Sequence, residues 1–153
     1  MPSSRIGVIS DTHGLVRPEA LEALRGSDLI IHAGDVGAPE VLERLSSLAT
    51  VAAVRGNVDG GAWADELPEE RTVDVAGVRI HVIHNLRALD AVPDGCRLVI
   101  SGHSHKPSMQ RCDGVTYLNP GSAGPRRFTL PVAVATIRVN PRSLRPKLLE
   151  LAV

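Results

Sequence analysis

Seven polar residues spread along the chain have the side-chain types that bind metal ions. Two of them are histidines one residue apart, just after the apolar run 97–100, and Gly102 before them leaves room for a close approach of the chain. Carboxylate, imidazole and amide groups without thiolates suit manganese, iron, cobalt, nickel and zinc. The full candidate set is Asp11, His13, Asp35, Asn57, His84, His103 and His105.

These seven donors are too many for one tetrahedral site that keeps a position open. They suit two metal ions that share one bridging carboxylate. Two dications with Asp11 and Asp35 carry a net charge of about +2, and a bridging hydroxide lowers it to about +1, which favours a phosphate oxyanion. Two ions roughly 3.5–4 Å apart lower the pKa of a shared water and hold the phosphate during in-line attack. The donor set therefore indicates chemistry at a phosphate ester.

The first part of the chain has the pattern β-α-β-α-β. Pro18 and Pro39 stand at plausible first positions of the two helices, and Gly26 ends the first helix. Strands are predicted at residues 5–9, 29–31 and 51–54. Such crossovers join parallel strands, which deliver the residues that follow them to one edge of the sheet. The residues expected to meet there are Asp11, His13, Asp35 and Asn57.

The second part of the chain is rich in predicted strands. Residues 60–70 are expected to form an irregular loop, and the Asp113-Gly114 pair is a strong hairpin signal. The predicted strands are 71–75, 78–83, 97–100, 109–112, 115–118, 132–139 and 144–151. Helices among the early strands and mostly strands afterwards predict two packed sheets flanked by helices. Strands of this half also end in polar residues, namely His84, His103, His105 and Asn119-Pro120-Gly121-Ser122.

Composition limits the possible partners. The 153 residues predict one domain over 1–153, and their net charge of zero gives no general attraction to nucleic acid or to anionic lipid. One Trp, one Tyr and one Phe leave little for stacking on bases. Cys96 and Cys112 are expected to be ordinary thiols, and the sequence has no signal-peptide pattern and no long apolar stretch. We therefore expect a cytoplasmic protein with no membrane partner. Its oligomeric state, monomer or homo-oligomer, is left open.

In their order and spacing, five motifs resemble those of the calcineurin-like metallophosphoesterases. The motifs are Asp11-x-His13, Gly34-Asp35, Gly56-Asn57-x-Asp59, His84 and Gly102-His103-x-His105. Asn119-Pro120-Gly121-Ser122 extends the resemblance to the small bacterial and archaeal phosphodiesterase branch. The resemblance implies an α/β fold, a four-layer α-β-β-α sandwich.

The same resemblance implies two sets of metal ligands. One metal would take Asp11, His13, Asp35 and His105, and the other would take Asp35, Asn57, His84 and His103. Asp35 would bridge the metals. The catalytic residues implied beside the phosphate are Asp35, Asn57 and His103.

The chain departs from the family pattern at two positions. Val58 stands where larger members carry a histidine that acts as a general acid, so esters with good leaving groups are expected to be favoured. The small branch commonly lacks that histidine too. Asn85 follows His84 where the family usually has glycine, which would either narrow the site or alter the substrate pocket.

The predicted function is hydrolysis of a small phosphodiester by a metal-bridging hydroxide at a pair of divalent ions. Manganese is favoured, with nickel, iron, cobalt and zinc as alternatives. Two other functions stay open. One is a non-catalytic scaffold with the same fold, and the other is a phosphomonoesterase.

The remaining polar residues carry weaker expectations. His32 and His81 are interpreted as structural, because each is placed inside a predicted strand. Asp59 would either orient a ligand or close a loop. Arg126 and Arg127 would either contact a substrate phosphate or remain solvated. Ser104 is not a nucleophile candidate, because no Gly-x-Ser-x-Gly elbow surrounds it.

Overall fold

The computed structural model describes residues 3–153 and contains two five-stranded sheets packed face to face. The first sheet and its helices comprise β1 (Ser4–Ile9), α1 (Pro18–Leu24), β2 (Leu29–His32), α2 (Pro39–Ser46), β3 (Thr50–Ala53), β9 (Ala133–Asn140) and β10 (Ser143–Glu150). Between β3 and β9 the chain forms α3 (Ala62–Asp65), β4 (Glu70–Val75), β5 (Val78–Ile83), β6 (Cys96–Ile100), β7 (Ser108–Cys112) and β8 (Val115–Asn119).

Both sheets are mixed, and each has a parallel centre. The strand order is β10-β9-β1-β2-β3 in the first sheet and β4-β5-β6-β8-β7 in the second. β1, β2 and β3 run parallel to one another, as do β5, β6 and β8. The chain segments that follow these six strands therefore emerge at shared sheet edges, where open α/β sheets place their ligands.

The core has two layers. Ile6 and Ile31 of the first sheet pack with Val82, Ile100 and Leu118 of the second, all fully or almost fully buried. A second cluster lies on the other face of the first sheet, where the helices bury their apolar residues. Its largest members are Ile9, Leu24, Ile30 and Leu45. Alternation along each strand explains why one sheet can serve both layers.

The predicted α/β sandwich of two packed sheets is confirmed, and its outer layer on the second sheet is thin. Leu98 and Ile100 face the first sheet, so Val99 between them faces outward, yet it is only 1% exposed. The connection from β5 to β6 contains a short 3₁₀ helix, Leu86–Ala88, in place of a longer α-helix.

The expectation of an irregular loop over residues 60–70 is wrong in part. α3 occupies four of these residues, and β4 already begins at Glu70. Trp63 and Leu67 pack against the helix-side core, which holds the short helix in place. A single helical turn is too short to show apolar periodicity in the sequence. Within residues 3–153, no helix is long and apolar enough to cross a bilayer.

Candidate metal centre

All seven sequence-predicted ligands lie in segments that follow parallel strands. The first sheet supplies Asp11 and His13 after β1, Asp35 after β2 and Asn57 after β3. The second sheet supplies the histidines His84, His103 and His105, after β5 and β6. The fold therefore brings these residues to one place although they are far apart in the sequence.

Asp11 is buried at the centre of the group, and its two carboxylate oxygens have different surroundings. Oδ2 accepts hydrogen bonds from the Ser10 hydroxyl at 2.7 Å and from the His103 backbone amide at 3.0 Å. Oδ1 lies 3.4 Å from Nε2 of His105 and 3.9 Å from Nε2 of both His13 and His84. One oxygen is therefore used to fix the carboxylate, and the other faces three imidazoles.

The two carboxylate oxygens of Asp35 also have different surroundings. Its Oδ1 accepts a hydrogen bond from the Val58 amide at 3.0 Å. Its Oδ2 lies 3.2 Å from Nε2 of His84 and 3.7 Å from Nε2 of His13. Burial by itself would raise the pKa of Asp35, but the His84 imidazole and the Val58 amide hold that pKa well below its usual value. The carboxylate is therefore negatively charged at neutral pH.

His84 is held in one tautomer. Its Nδ1 donates a hydrogen bond of 2.7 Å to the Ala33 carbonyl, so the neutral ring presents the lone pair of Nε2 to the two aspartates. Burial opposes the charged ring, but the nearby carboxylates of Asp35 and Asp11 raise the pKa of His84 above its ordinary value. The centre therefore attracts positive charge at this nitrogen.

The donor atoms form two compact groups whose surroundings suit divalent cations. Within each group the atoms lie within 4.8 Å of one another. One group is Asp11, His13 and His105, and the other is Asp35, His84 and His103. Four of their buried atoms find no hydrogen-bond partner in the described part of the chain: Asp11 Oδ1, His13 Nε2, His84 Nε2 and His105 Nδ1. A buried polar atom without a partner costs about 1–3 kcal/mol, and metal coordination would satisfy the atoms of Asp11, His13 and His84. The nitrogen of His105 that faces Asp11 is Nε2, so its Nδ1 is not the atom that a cation between them would use.

The backbone at these residues is strained. Asp11, His13, Asp35, His103 and His105 all have positive φ angles, between 49° and 73°. Only eight non-glycine residues of the described chain have a positive φ, and five of them are candidate ligands. Such conformations cost roughly 1–3 kcal/mol each and concentrate at functional sites.

Two glycines permit the close packing around the ligands. A Cβ at Gly102 would overlap Ser10 Oγ and lie 2.6 Å from Asp11 Oδ2. A Cβ at Gly34, whose φ is +101°, would lie 2.7 Å from Nδ1 of His84. Both glycines directly precede a candidate ligand, so their positions in the motifs have a steric reason.

Asn57 lies at the edge of the centre. It is exposed and lines the same cavity as His84, a depression of about 530 Å³. A second cavity of about 580 Å³ is lined by His103. Asn85 lines both cavities. Its side-chain oxygen accepts a hydrogen bond from the Arg87 amide and so caps the short 3₁₀ helix, and its φ of −109° does not require glycine. The side chain at position 85 therefore contributes to the walls of both cavities.

Several supporting residues were given no role in the sequence analysis, although Asn119 and Ser122 belong to a motif named there. The Ser10 hydroxyl holds Asp11. The Asn119 amide donates to the Gly102 carbonyl and to the Ser104 hydroxyl, both at 3.0 Å. The Ser122 hydroxyl donates to the Asp11 carbonyl at 3.0 Å. Ser10 precedes a candidate ligand directly, and that adjacency is the only sequence signal for its role.

Asp59 joins two of the ligand-bearing loops. Its carboxylate accepts hydrogen bonds from the amides of Val36 at 3.1 Å, Gly37 at 2.9 Å and Gly56 at 2.9 Å. These amides belong to the loops that carry Asp35 and Asn57. Asp59 therefore closes the loops and positions those residues at the same time.

The two histidines interpreted as structural have buried, hydrogen-bonded rings. The placement of His32 inside a strand is wrong, because it is the last residue of β2. Its Nδ1 accepts from the Gly34 amide at 3.1 Å, and its Nε2 bonds Thr12 Oγ1 at 3.0 Å. His81 lies inside β5, where its ring bonds Thr72 and Glu70. These hydrogen bonds to nearby residues explain how both imidazole rings can be buried.

The other residues near the centre have simpler surroundings. Arg126 and Arg127 are exposed, and neither is among the residues that line the two cavities. The Arg126 guanidinium reaches the Val153 carbonyl at 3.5 Å. Val58 is 56% exposed beside Asp35, to which only its backbone amide is bonded.

Comparison with known proteins identifies the family of the chain. Residues 5–141 match the family model of the calcineurin-like phosphoesterase superfamily domain. A protein of Methanothermobacter thermautotrophicus named "Probable metallophosphoesterase" is 36% identical, over 95% of this chain and 91% of its own length. A Methanocaldococcus jannaschii protein named as a phosphodiesterase is 28% identical, over 76% of this chain and 82% of its own length. The crystal structure of Vps29 from Chaetomium thermophilum superimposes with a TM-score of 0.82 at 20% identity, over 96% of this chain and 88% of that one.

The chain therefore belongs to the calcineurin-like phosphoesterase superfamily. Its fold is that of the superfamily, and its two groups of candidate ligands fit the divalent metals that such proteins bind.

Proposed function

We propose that this protein hydrolyses small phosphodiesters with the help of two divalent metal ions, with manganese favoured. The observation that carries the proposal is the pair of donor groups, each built from one aspartate and two histidines and centred on buried atoms without partners. The position of Asp35 supports a role as the ligand that bridges the two metals. Its Oδ2 lies beside His84 of its own group and 3.7 Å from Nε2 of His13 in the other group.

The chain's own residues keep this site ready to bind. Hydrogen bonds to one oxygen of Asp11 and one of Asp35 orient the remaining oxygens toward the imidazoles. The Ala33 carbonyl fixes the His84 ring, so no rearrangement is needed when a cation enters. When bound, divalent cations supply positive charge that stabilises the phosphate and lowers the pKa of a water.

The shape of the surface favours a diester. Of the group formed by Asp35, His84 and His103, His103 lines one cavity and His84 lines another, and Asn85 lines both cavities. A phosphodiester has two ester substituents, which the two cavities would accept on either side of a central phosphorus. The relative named as a phosphodiesterase supports the same substrate class.

A second candidate function is a non-catalytic scaffold. The structural likeness to Vps29 favours it, because that name stands for vacuolar protein sorting rather than for hydrolysis. All seven candidate ligand positions are filled in this chain, which favours the enzyme.

The test is an assay of metal-stripped protein on bis-para-nitrophenyl phosphate and on its monoester. Manganese, nickel, cobalt, iron and zinc are restored in turn, and Asp35→Asn serves as the inactive reference. We expect the diester to be hydrolysed faster than the monoester, with manganese giving the highest rate. Faster hydrolysis of the monoester would instead define a phosphomonoesterase, and hydrolysis of neither ester with any metal would define the scaffold.

A further inference from the structure

A separate polar cavity lies at the end of the strands opposite the metal centre, and its lining is basic. Its volume is about 310 Å³, and four elements of the fold each contribute one arginine. The arginines are Arg97 on β6, Arg111 on β7, Arg142 in the β9–β10 turn and Arg145 on β10. The other lining residues, Gly114, Thr116, Ser143 and Leu144, include no carboxylate.

The backbone fixes the positions of these arginines. Nη1 of Arg97 donates a hydrogen bond of 3.0 Å to the Pro141 carbonyl, which ties β6 to the β9–β10 turn. The side-chain oxygen of Asn140 accepts from the amides of Arg142 and Ser143 at 2.8 and 2.9 Å. Arg111 pairs in register with Thr116 of the neighbouring strand. The cavity is therefore framed by sheet and turn rather than by a free loop.

No carboxylate neutralises this cavity. In residues 3–153, the ion pairs between arginine and a carboxylate involve only Arg25, Arg55 and Arg79. The four cavity arginines are therefore unpaired, although the chain as a whole has no net charge. Within residues 3–153, Arg97 is the only one of the four whose guanidinium donates a hydrogen bond to another residue.

The sheet next to the cavity places like charges side by side. Arg145 is directly opposite Arg138 on β9, and Arg138 is directly opposite Arg5 on β1. Like charges in facing positions destabilise a sheet. Arg145 also borders a neighbouring cavity of about 510 Å³ whose cationic lining residues are Arg5, Arg138 and Lys147, again without a carboxylate. An anion with several charges would relieve this repulsion.

We propose that the four-arginine cavity binds a polyphosphate group, either as a free chain or as part of a nucleotide. The planar guanidinium forms paired hydrogen bonds with phosphate oxygens, and several arginines lining one cavity suit a ligand that carries several phosphates. The site does not depend on the proposed hydrolysis, because it shares no residue with the metal centre or its two cavities.

The test measures binding of sodium triphosphate to the full-length protein by isothermal titration calorimetry, in buffer without added metal. We expect wild type to bind triphosphate more tightly than inorganic phosphate, with an affinity that falls as salt is raised. The double variant Arg111→Gln/Arg142→Gln should bind at least about tenfold more weakly, because it loses two charge-assisted contacts. Arg145→Gln, a single change on a different strand, should also weaken binding and provides a second variant.

Two controls separate this site from other anion sites. Arg44→Gln changes an exposed helical arginine far from the cavity in the sequence and should bind triphosphate like wild type. Asp35→Asn, in the metal centre, should also bind like wild type. Unchanged affinity in both cavity variants would overturn the proposal, as would a loss of binding confined to Asp35→Asn. Equal affinities for triphosphate and ATP would assign the phosphate chain as the ligand, and tighter binding of ATP would assign a nucleotide.

Discussion

The hydroxyl of Ser10 donates a hydrogen bond of 2.7 Å to Oδ2 of its neighbour Asp11. This bond, with the one from the His103 amide, leaves Oδ1 as the oxygen that faces the imidazoles. Ser10 is itself fully buried, so water cannot replace its hydroxyl without a rearrangement. The orientation of a central candidate ligand thus depends on a residue that would not itself contact a metal.

Ser10→Ala is therefore expected to weaken metal binding by about tenfold, in line with the loss of a hydrogen bond to a metal ligand. Calorimetric titration of the metal-stripped protein with manganese measures this change. The control is Ser46→Ala, which removes an exposed hydroxyl bonded only to the Leu42 carbonyl of its own helix. Equal manganese affinities for wild type and Ser10→Ala would contradict the positioning role.

Gly102→Ala is expected to reduce hydrolysis at least about 100-fold, because the new methyl group would overlap Ser10 and approach Asp11. Turnover of the aryl diester and the number of bound manganese ions are the two measurements. Gly60→Ala is the matched control, since a Cβ there meets no atom within 4 Å. Normal turnover by Gly102→Ala would show that the tight packing at this glycine is not needed for activity.

Asp35→Asn is expected to abolish hydrolysis and to weaken binding of both metals, because one oxygen of this side chain faces histidines of both donor groups. Metal content per chain after dialysis distinguishes the loss of two ions from the loss of one. Asp74→Asn, which changes an exposed carboxylate paired with Arg79, should leave both quantities unchanged. Retention of one metal with full affinity would argue against a bridging role.

Acid should destabilise the protein partly through His32. Burial lowers the pKa of this ring from 6.5 to about 4, so between these values the unfolded chain binds a proton that the folded chain does not. The free energy of unfolding therefore falls as the pH falls through this window. From pH 7 to pH 5 the loss is about 2 kcal/mol. Urea unfolding of metal-stripped wild type and His32→Gln at both pH values measures it, and identical pH dependence of the two proteins would contradict the assignment.

If the protein hydrolyses phosphodiesters as proposed, its rate should depend strongly on the leaving group, because Val58 offers no proton to the departing alcohol. We expect the rate to fall steeply along a series of aryl diesters as the pKa of the leaving phenol rises. Val58→His should flatten that dependence, whereas Val58→Asn, polar but without a titratable proton, should not. The exposed position of Val58 lets either substitution be made without disturbing the core. The same slope in all three proteins would show that protonation comes from elsewhere.

Much of the fold follows from local patterns in the sequence. Apolar runs and Pro18 and Pro39 predict the β-α-β-α-β half, and helices do begin at both prolines. The Asp113-Gly114 turn predicts the β7–β8 hairpin. The order of the second sheet is less accessible, because β8 rather than β7 lies next to β6. That choice depends on long-range packing of Leu118 in the core, which a local pattern does not record.

The candidate centre was predictable as a set of residues but not as a geometry. The rule that parallel strands end at one edge is enough to gather Asp11, His13 and Asp35, whereas His84 follows a strand of the other sheet and was joined to them through the family resemblance. This rule predicts neither the positive φ angles at five candidate ligands nor the different contacts of the two carboxylate oxygens of Asp11. Those features depend on φ angles and on contacts between loops of different sheets. The arginine cavity could not be predicted from the sequence for a similar reason. Its four arginines come from distant parts of the chain, and the total charge of the chain is zero.

Bound cations would cross-link the two sheets of the sandwich. Each donor group combines residues that follow strands of the first sheet, namely Asp11, His13 and Asp35, with residues that follow strands of the second, namely His84, His103 and His105. Such cross-sheet attachment requires both halves to be in place, so a partly folded chain would offer no complete pocket. Loading with metal should then lengthen the lifetime of the native protein more than it accelerates refolding.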